Sequence, residues 1–170
     1  MAIDLSKLSP NDAVVALRSY PRRFRSALAP ISDDEGIEEL AQQAGPEGES
    51  AVEATADVVR TWTVLREALR QIQVADTPVV HAAVVDASQR HWESPVRETV
   101  AEVLAQLDDA AAELADAVAA VPGDGWLRTA QVAGGGTVSA LDVVREAVRT
   151  GHEGLARVEA ILAALRRDAR

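Results

Sequence analysis

TVSALDVVREAVRTGHEGLARVEAILAAL, residues 137–165, is the stretch from which the fold of this chain is read. Leu141, Val144, Val148, Leu155, Val158 and Leu162 recur three, four or seven residues apart, which sets them along one stripe of an amphipathic helix. Ser139 is a suitable N-cap, and Asp142 places an acid in the first turn beside the positive end of the helix dipole. A helix of roughly 27 residues is about 40 Å long, and its apolar stripe needs partners of similar length. No other segment carries a strand pattern of comparable strength, so those partners are expected to be helices.

Three further amphipathic stretches supply them. Ser9-Pro10 reads as a helix start, with Ser as cap and Pro where its missing N–H costs nothing. Val14, Leu17, Phe24 and Leu28 then carry the first helix, and Pro21 predicts a kink near residues 18–20 because its ring removes a backbone hydrogen bond. Residues 29–50, APISDDEGIEELAQQAGPEGES, read as a long connection with one helical turn near 37–43. The second helix, 50–72, buries Val58, Trp62, Leu65, Leu69 and Ile72, turns Glu53, Arg60, Glu67 and Arg70 outward, and keeps Asp57 at the border. A linker containing Pro78, His81 and His91 follows, and its apolar run 79–85 can pack onto the bundle. Ser94-Pro95 repeats the first start signal. The third helix then carries Val96, Val100, Val103, Leu107, Ala110, Leu114, Val118 and Val121 in near-heptad spacing, with Glu98, Glu102, Asp109, Glu113 and Asp116 mostly outward. Pro122 to Gly125 stop it. Residues 126–136, ending in Gly134-Gly135-Gly136, read as an irregular loop with a flexible glycine hinge. The expected architecture is all-α, one domain over residues 1–170, a four-helix bundle with antiparallel or long crossover connections.

Composition narrows the function. The 170 residues are 48% hydrophobic, enough for one packed core, and only five are aromatic, so Val, Leu and Ala must build most of it. With 17 basic and 27 acidic residues the net charge is −10, which repels phosphate backbones and anionic lipid surfaces. Nucleic acid and membrane are therefore not expected partners. The chain has no cysteine, which excludes thiolate chemistry of its own. The start, MAIDLSKLSP, has no basic segment followed by an apolar run, so a cytoplasmic protein is expected.

The candidate chemistry is sparse. His152 lies at the edge of the last helix's buried stripe, where a lone histidine is more often a hydrogen-bonded boundary residue than a ligand. Glu146, Arg149 and Glu153 are spaced for a solvated ion-pair ladder, worth about 0.2–0.5 kcal/mol per pair. A metal clasp of two histidines four apart on a helix is absent, and His81 and His91 sit in a linker as surface or docking residues. The glycine run lacks the strand and Lys-Ser/Thr pair of a phosphate loop.

Three segments together resemble the DinB-like family: GPEGESAVEATADVV leading into the second helix, VPGDGWLRTA after the third, and TVSALDVVREAVRTGHEGLARVEAIL in the last. This four-helix group includes bacillithiol and mycothiol S-transferases and the mycothiol-dependent maleylpyruvate isomerases. The resemblance spans nearly the whole chain. It implies a divalent metal held by one histidine in the second helix and two, four residues apart, in the fourth, where it would activate a thiol cosubstrate. The matching positions here are Asp57, Arg149 and Glu153. Arginine presents only donors and stays protonated, so it cannot ligate a metal. The resemblance thus implies a degenerate metal site in which Arg149, flanked by Asp57 and Glu153, supplies a fixed positive charge instead. An alignment slipped by one residue makes His152 a ligand with Asp57 and Glu153, although neighbours on a helix point about 100° apart.

Three functions stand open on this reading. The first is a DinB-like module without metal, cofactor or catalysis that binds a small molecule or forms a homodimer. The second is a metal-dependent transferase or isomerase using Zn or Ni, nonstandard ligands and a low-molecular-weight thiol. The third is a purely structural helical protein that shares only the fold.

Overall fold

Four capping boxes start the four long helices. In each, a Ser or Thr hydroxyl accepts the N–H of the third helical residue, whose carboxylate accepts the cap's own N–H. Ser9 with Asp12 opens α1 (Pro10–Leu28), Ser50 with Glu53 opens α3 (Ala51–Val74), and Thr99 with Glu102 opens α4 (Val100–Ala119). Ser139 with Asp142 opens α5 (Ala140–Asp168), the Asp142 N–H lying 3.1 Å from the Ser139 Oγ. A short helix, α2 (Ile37–Gln42), lies in the connection from α1 to α3. The computed structural model describes residues 4–29, 36–90 and 96–168. The sequence-based start at Ser94-Pro95 and the linker's His91 lie outside these residues, and α4 begins at Val100, beyond Val96. Pro21 falls within the continuous helix α1.

The long helices pack in a ring. Helix α1 contacts α4 and α5, and α3 contacts the same two, so α1 lies diagonally opposite α3 and α4 diagonally opposite α5. The connections α1 to α3 and α4 to α5 therefore cross the bundle, the crossover form of the expected four-helix architecture. No helix among the described residues is long and apolar enough to cross a membrane.

The second crossing contains what the sequence reading took for an irregular loop. Strands β1 (Val79–Val80), β2 (Thr129–Val132) and β3 (Thr137–Ser139) form a small sheet in that order, β1 parallel to β2 and β2 antiparallel to β3. Two- to four-residue strands are too short to leave a periodic pattern. Their alternation is nonetheless real, with Ala130, Val132 and Val138 buried and Thr129, Gln131 and Thr137 exposed. Gly134, Gly135 and Gly136 all have positive φ, which other residues rarely adopt, and the run forms the turn of the β2–β3 hairpin. Arg128, just ahead of β2, donates to the carbonyls of Ile72 (2.6 Å) and Ala75 (2.5 Å), satisfying orphan acceptors at the end of α3.

The core centres on α5. Trp62, fully buried, donates its indole N–H to the Ala147 carbonyl at 2.9 Å, and the Tyr20 hydroxyl donates to the Val148 carbonyl at 3.1 Å. Both rings can reach the helix backbone because Gly151 lies beneath them. A Cβ there would stand 2.7 Å from Tyr20 ring carbons and 2.9 Å from Trp62 Cζ2. One turn on, a Cβ on Gly154 would stand 2.2 Å from Val58 Cγ2. Glycine in a helix interior costs about 1 kcal/mol relative to alanine, so these two are retained against propensity by the close approach of α3 and α5. Gly154→Ala is accordingly expected to be net destabilising by about 1–2 kcal/mol, overpacking outweighing the gain in helix propensity. In a double-mutant cycle read by urea denaturation, Val58→Ala should recover much of that loss; strictly additive effects would contradict the contact.

Candidate functional site

The same approach of α3 and α5 leaves a cleft of about 390 Å³ beside it. Helix α3 contributes Asp57, Val58 and Thr61, and α5 contributes Thr150, Glu153, Gly154 and Arg157, which recur on one helical face. Ala87 and Arg90 approach from the linker after β1. Two of the four expected site residues, Asp57 and Glu153, thus share one cleft. Arg149 and His152 are not among the residues lining it.

The cation that meets Asp57 is Arg157, eight residues beyond Arg149. Its Nη2 lies 2.9 Å from Asp57 Oδ2 and its Nε 3.3 Å from Glu49 Oε2, so it ties α5 both to α3 and to the loop before α3. Burial holds the Glu49 carboxyl above the usual carboxylate range; Arg157 pulls it back, and the charges of Asp57, Glu53 and Glu47 oppose that pull. This end of the cleft is therefore crowded with acids.

Arg149 instead pairs with Glu146 on its own helix, as the ladder spacing implied. The ladder is not simply solvated, because Glu146 is 15% exposed at its side chain and also binds Arg90, itself 10% exposed, at 2.7 Å. Arg90 donates a second bond to the Ala83 carbonyl at 2.9 Å, fastening the linker to α5. His81 is exposed, and its Nδ1 accepts the Ala83 N–H at 3.0 Å, capping a turn of 3-10 helix. Glu153 is exposed and makes no hydrogen bond or ion pair among the described residues.

Two hydroxyls complete the cleft. Thr61 and Thr150 are 2% and 8% exposed. The Thr150 Oγ1 is buried without a hydrogen-bond partner, a state that costs about 1–3 kcal/mol when nothing occupies it. No spacing rule could have singled out either hydroxyl or Arg157, because what distinguishes them is set by contacts between α3, α5 and the loop before α3.

These donors do not suit the metal that the family resemblance implies. Asp57 is engaged by a guanidinium, His152 lies off the cleft lining, and among the described residues no three His, Cys, Asp or Glu side chains are grouped to hold an ion. Asp57, Arg149 and Glu153 do not form the anticipated floor, since the guanidinium of Arg149 is drawn to Glu146. The structural weights of the two linker-side arginines should differ. Arg90→Ala leaves the half-buried Glu146 with only the exposed Arg149 as partner and should lower unfolding free energy by about 2 kcal/mol. Arg149→Ala, at an exposed pair, should cost under about 1 kcal/mol. Equal losses in denaturant titrations would contradict the burial of the Arg90–Glu146 pair.

No family model matches the chain, and no curated protein matches it. Among solved structures it is similar to YfiT from Bacillus subtilis, a probable metal-dependent hydrolase with an unusual four-helix bundle topology. The two share 12% sequence identity with a TM-score of 0.69 over 99% of this chain and 93% of that one. At that identity the likeness shows the fold alone, a four-helix bundle.

Proposed function

We propose that this chain is a metal-free binding module that takes a small molecule in the cleft between α3 and α5. The observation that carries the reading is the buried, unpartnered Thr150 hydroxyl on the cleft wall. A polar group in that position is ordinarily satisfied by protein, water or a ligand. The Asp57–Arg157 pair supports the metal-free part of the reading, since a guanidinium at 2.9 Å competes with any cation for that carboxylate. Metal-dependent hydrolysis, the chemistry ascribed to YfiT, and metal-dependent thiol transfer, the chemistry implied by the family resemblance, both need an ion held by several donors. Here Glu153 is the cleft's one carboxylate without an ion pair among the described residues.

The test is metal analysis of protein purified without a His tag, joined to thermal-shift titrations with Zn²⁺, Ni²⁺, Co²⁺ and Mn²⁺. Substoichiometric metal and no stabilisation are expected. An ion bound at 100 times its dissociation constant would add about 2.7 kcal/mol; a stabilisation of that order that disappears in Asp57→Ala would overturn the reading in favour of a metal enzyme.

A further inference from the structure

We infer that the ligand of this cleft is a small organic cation bearing a primary ammonium group, with Glu153 as its counter-charge and Thr150 Oγ1 accepting one of its N–H bonds. The inference rests on the proposed binding function and deepens it by assigning the ligand's chemistry.

Most charged groups of the cleft are already paired. Both arginines of the cleft already face protein acceptors: Arg90 faces Glu146 and the Ala83 carbonyl, and Arg157 faces Asp57 and Glu49. An anionic ligand would have to compete with these carboxylates for the positive charge. Glu153, by contrast, lines the cleft with no ion pair among the described residues. Thr150, one turn before it on the same face of α5, offers a buried oxygen with no partner. Thr61, across the cleft on α3, offers a second hydroxyl that makes no hydrogen bond among the described residues. One carboxylate and two hydroxyls are three acceptors, and a primary ammonium has three donors. A quaternary ammonium carries the same charge and none of these donors. The crowding of Glu47, Glu49 and Glu53 about Arg157 and the chain's net charge of −10 favour the approach of a cation over an anion.

The experiment is calorimetric and thermal-shift titration of the full chain with four probes of similar length: 1,4-diaminobutane, its fully N-methylated quaternary analogue, 1,4-butanediol and succinate. The inference expects 1,4-diaminobutane to bind and stabilise the wild type and the quaternary analogue to bind about tenfold more weakly or not at all. Glu153→Gln, an exposed and isosteric change, should weaken the diamine about tenfold or more. Thr150→Val, which keeps the shape and removes the orphan oxygen, should weaken it about fivefold. Equal binding of diamine and quaternary analogue, or diamine binding indifferent to both substitutions, would overturn the inference as attraction to an acidic surface only. Succinate or butanediol binding that Thr150→Val weakens, with no diamine response, would overturn the inference while leaving the binding function standing. A response to none of the four would overturn the inference, and the metal titrations then decide the binding function separately.

Discussion

The approach of α5 to α3 is the constraint on which the rest of this molecule depends. Gly151 and Gly154 remove the side chains that would hold the helices apart. Trp62 and Tyr20 fill the resulting depth and spend their polar ends on the carbonyls of Ala147 and Val148. The polar atoms of both rings thus have partners, so the aromatic contact stabilises without stranding a donor. The same two turns of α5 that approach α3 through glycine also present Thr150, Glu153 and Arg157 to the cleft, and Gly154 borders both. Core and site thus adjoin on one helix segment, and a shift that relieved the core would also move the site.

Charge is distributed over that segment with a clear division. Arg90 and Glu146 form a nearly buried pair that holds the linker, and their exposure leaves little solvent to screen it. Arg157 bridges Asp57 and Glu49 in a half-exposed setting, where such pairs contribute modestly to stability. On the outer faces, Arg18 with Asp116, Arg25 with Asp108 and Arg66 with Glu113 link neighbouring helices at exposed positions. Within the cleft, the groups left without a partner among the described residues are Glu153 and the Thr61 and Thr150 hydroxyls.

Much of the fold was legible in the sequence because it is written in local signals. Of the stripe, Val144, Val148, Leu155, Val158 and Leu162 are buried as their spacing implies while Leu141 is only partly so, and Ser9 and Ser139 cap the helices they were assigned. The start of α4 was misplaced although Thr99 and Glu102 carry the capping-box spacing; the Ser-Pro signal five residues earlier drew attention away from it. The sheet left no readable pattern, since its strands are two to four residues long and one of them, β1, pairs with a segment some fifty residues away. Asp57 and Glu153, which the resemblance singled out, line one cleft. Arg157 was missed because family positions pointed to Arg149, whose guanidinium has a nearer carboxylate in Glu146. Thr150 was invisible for a deeper reason: a threonine becomes a signal only when the fold buries its hydroxyl and gives it nothing to bond.

The central claim, that the cleft between α3 and α5 is a ligand site and not a metal site, is tested most directly by amide chemical-shift mapping of the ¹⁵N-labelled protein. Parallel titrations with 1,4-diaminobutane and with Zn²⁺ are compared. The account predicts that the diamine shifts the amides of Thr61, Thr150, Gly151, Glu153 and Gly154 together and saturably, and that Zn²⁺ leaves them in place. Saturable shifts at these amides with Zn²⁺ and none with the diamine would contradict it.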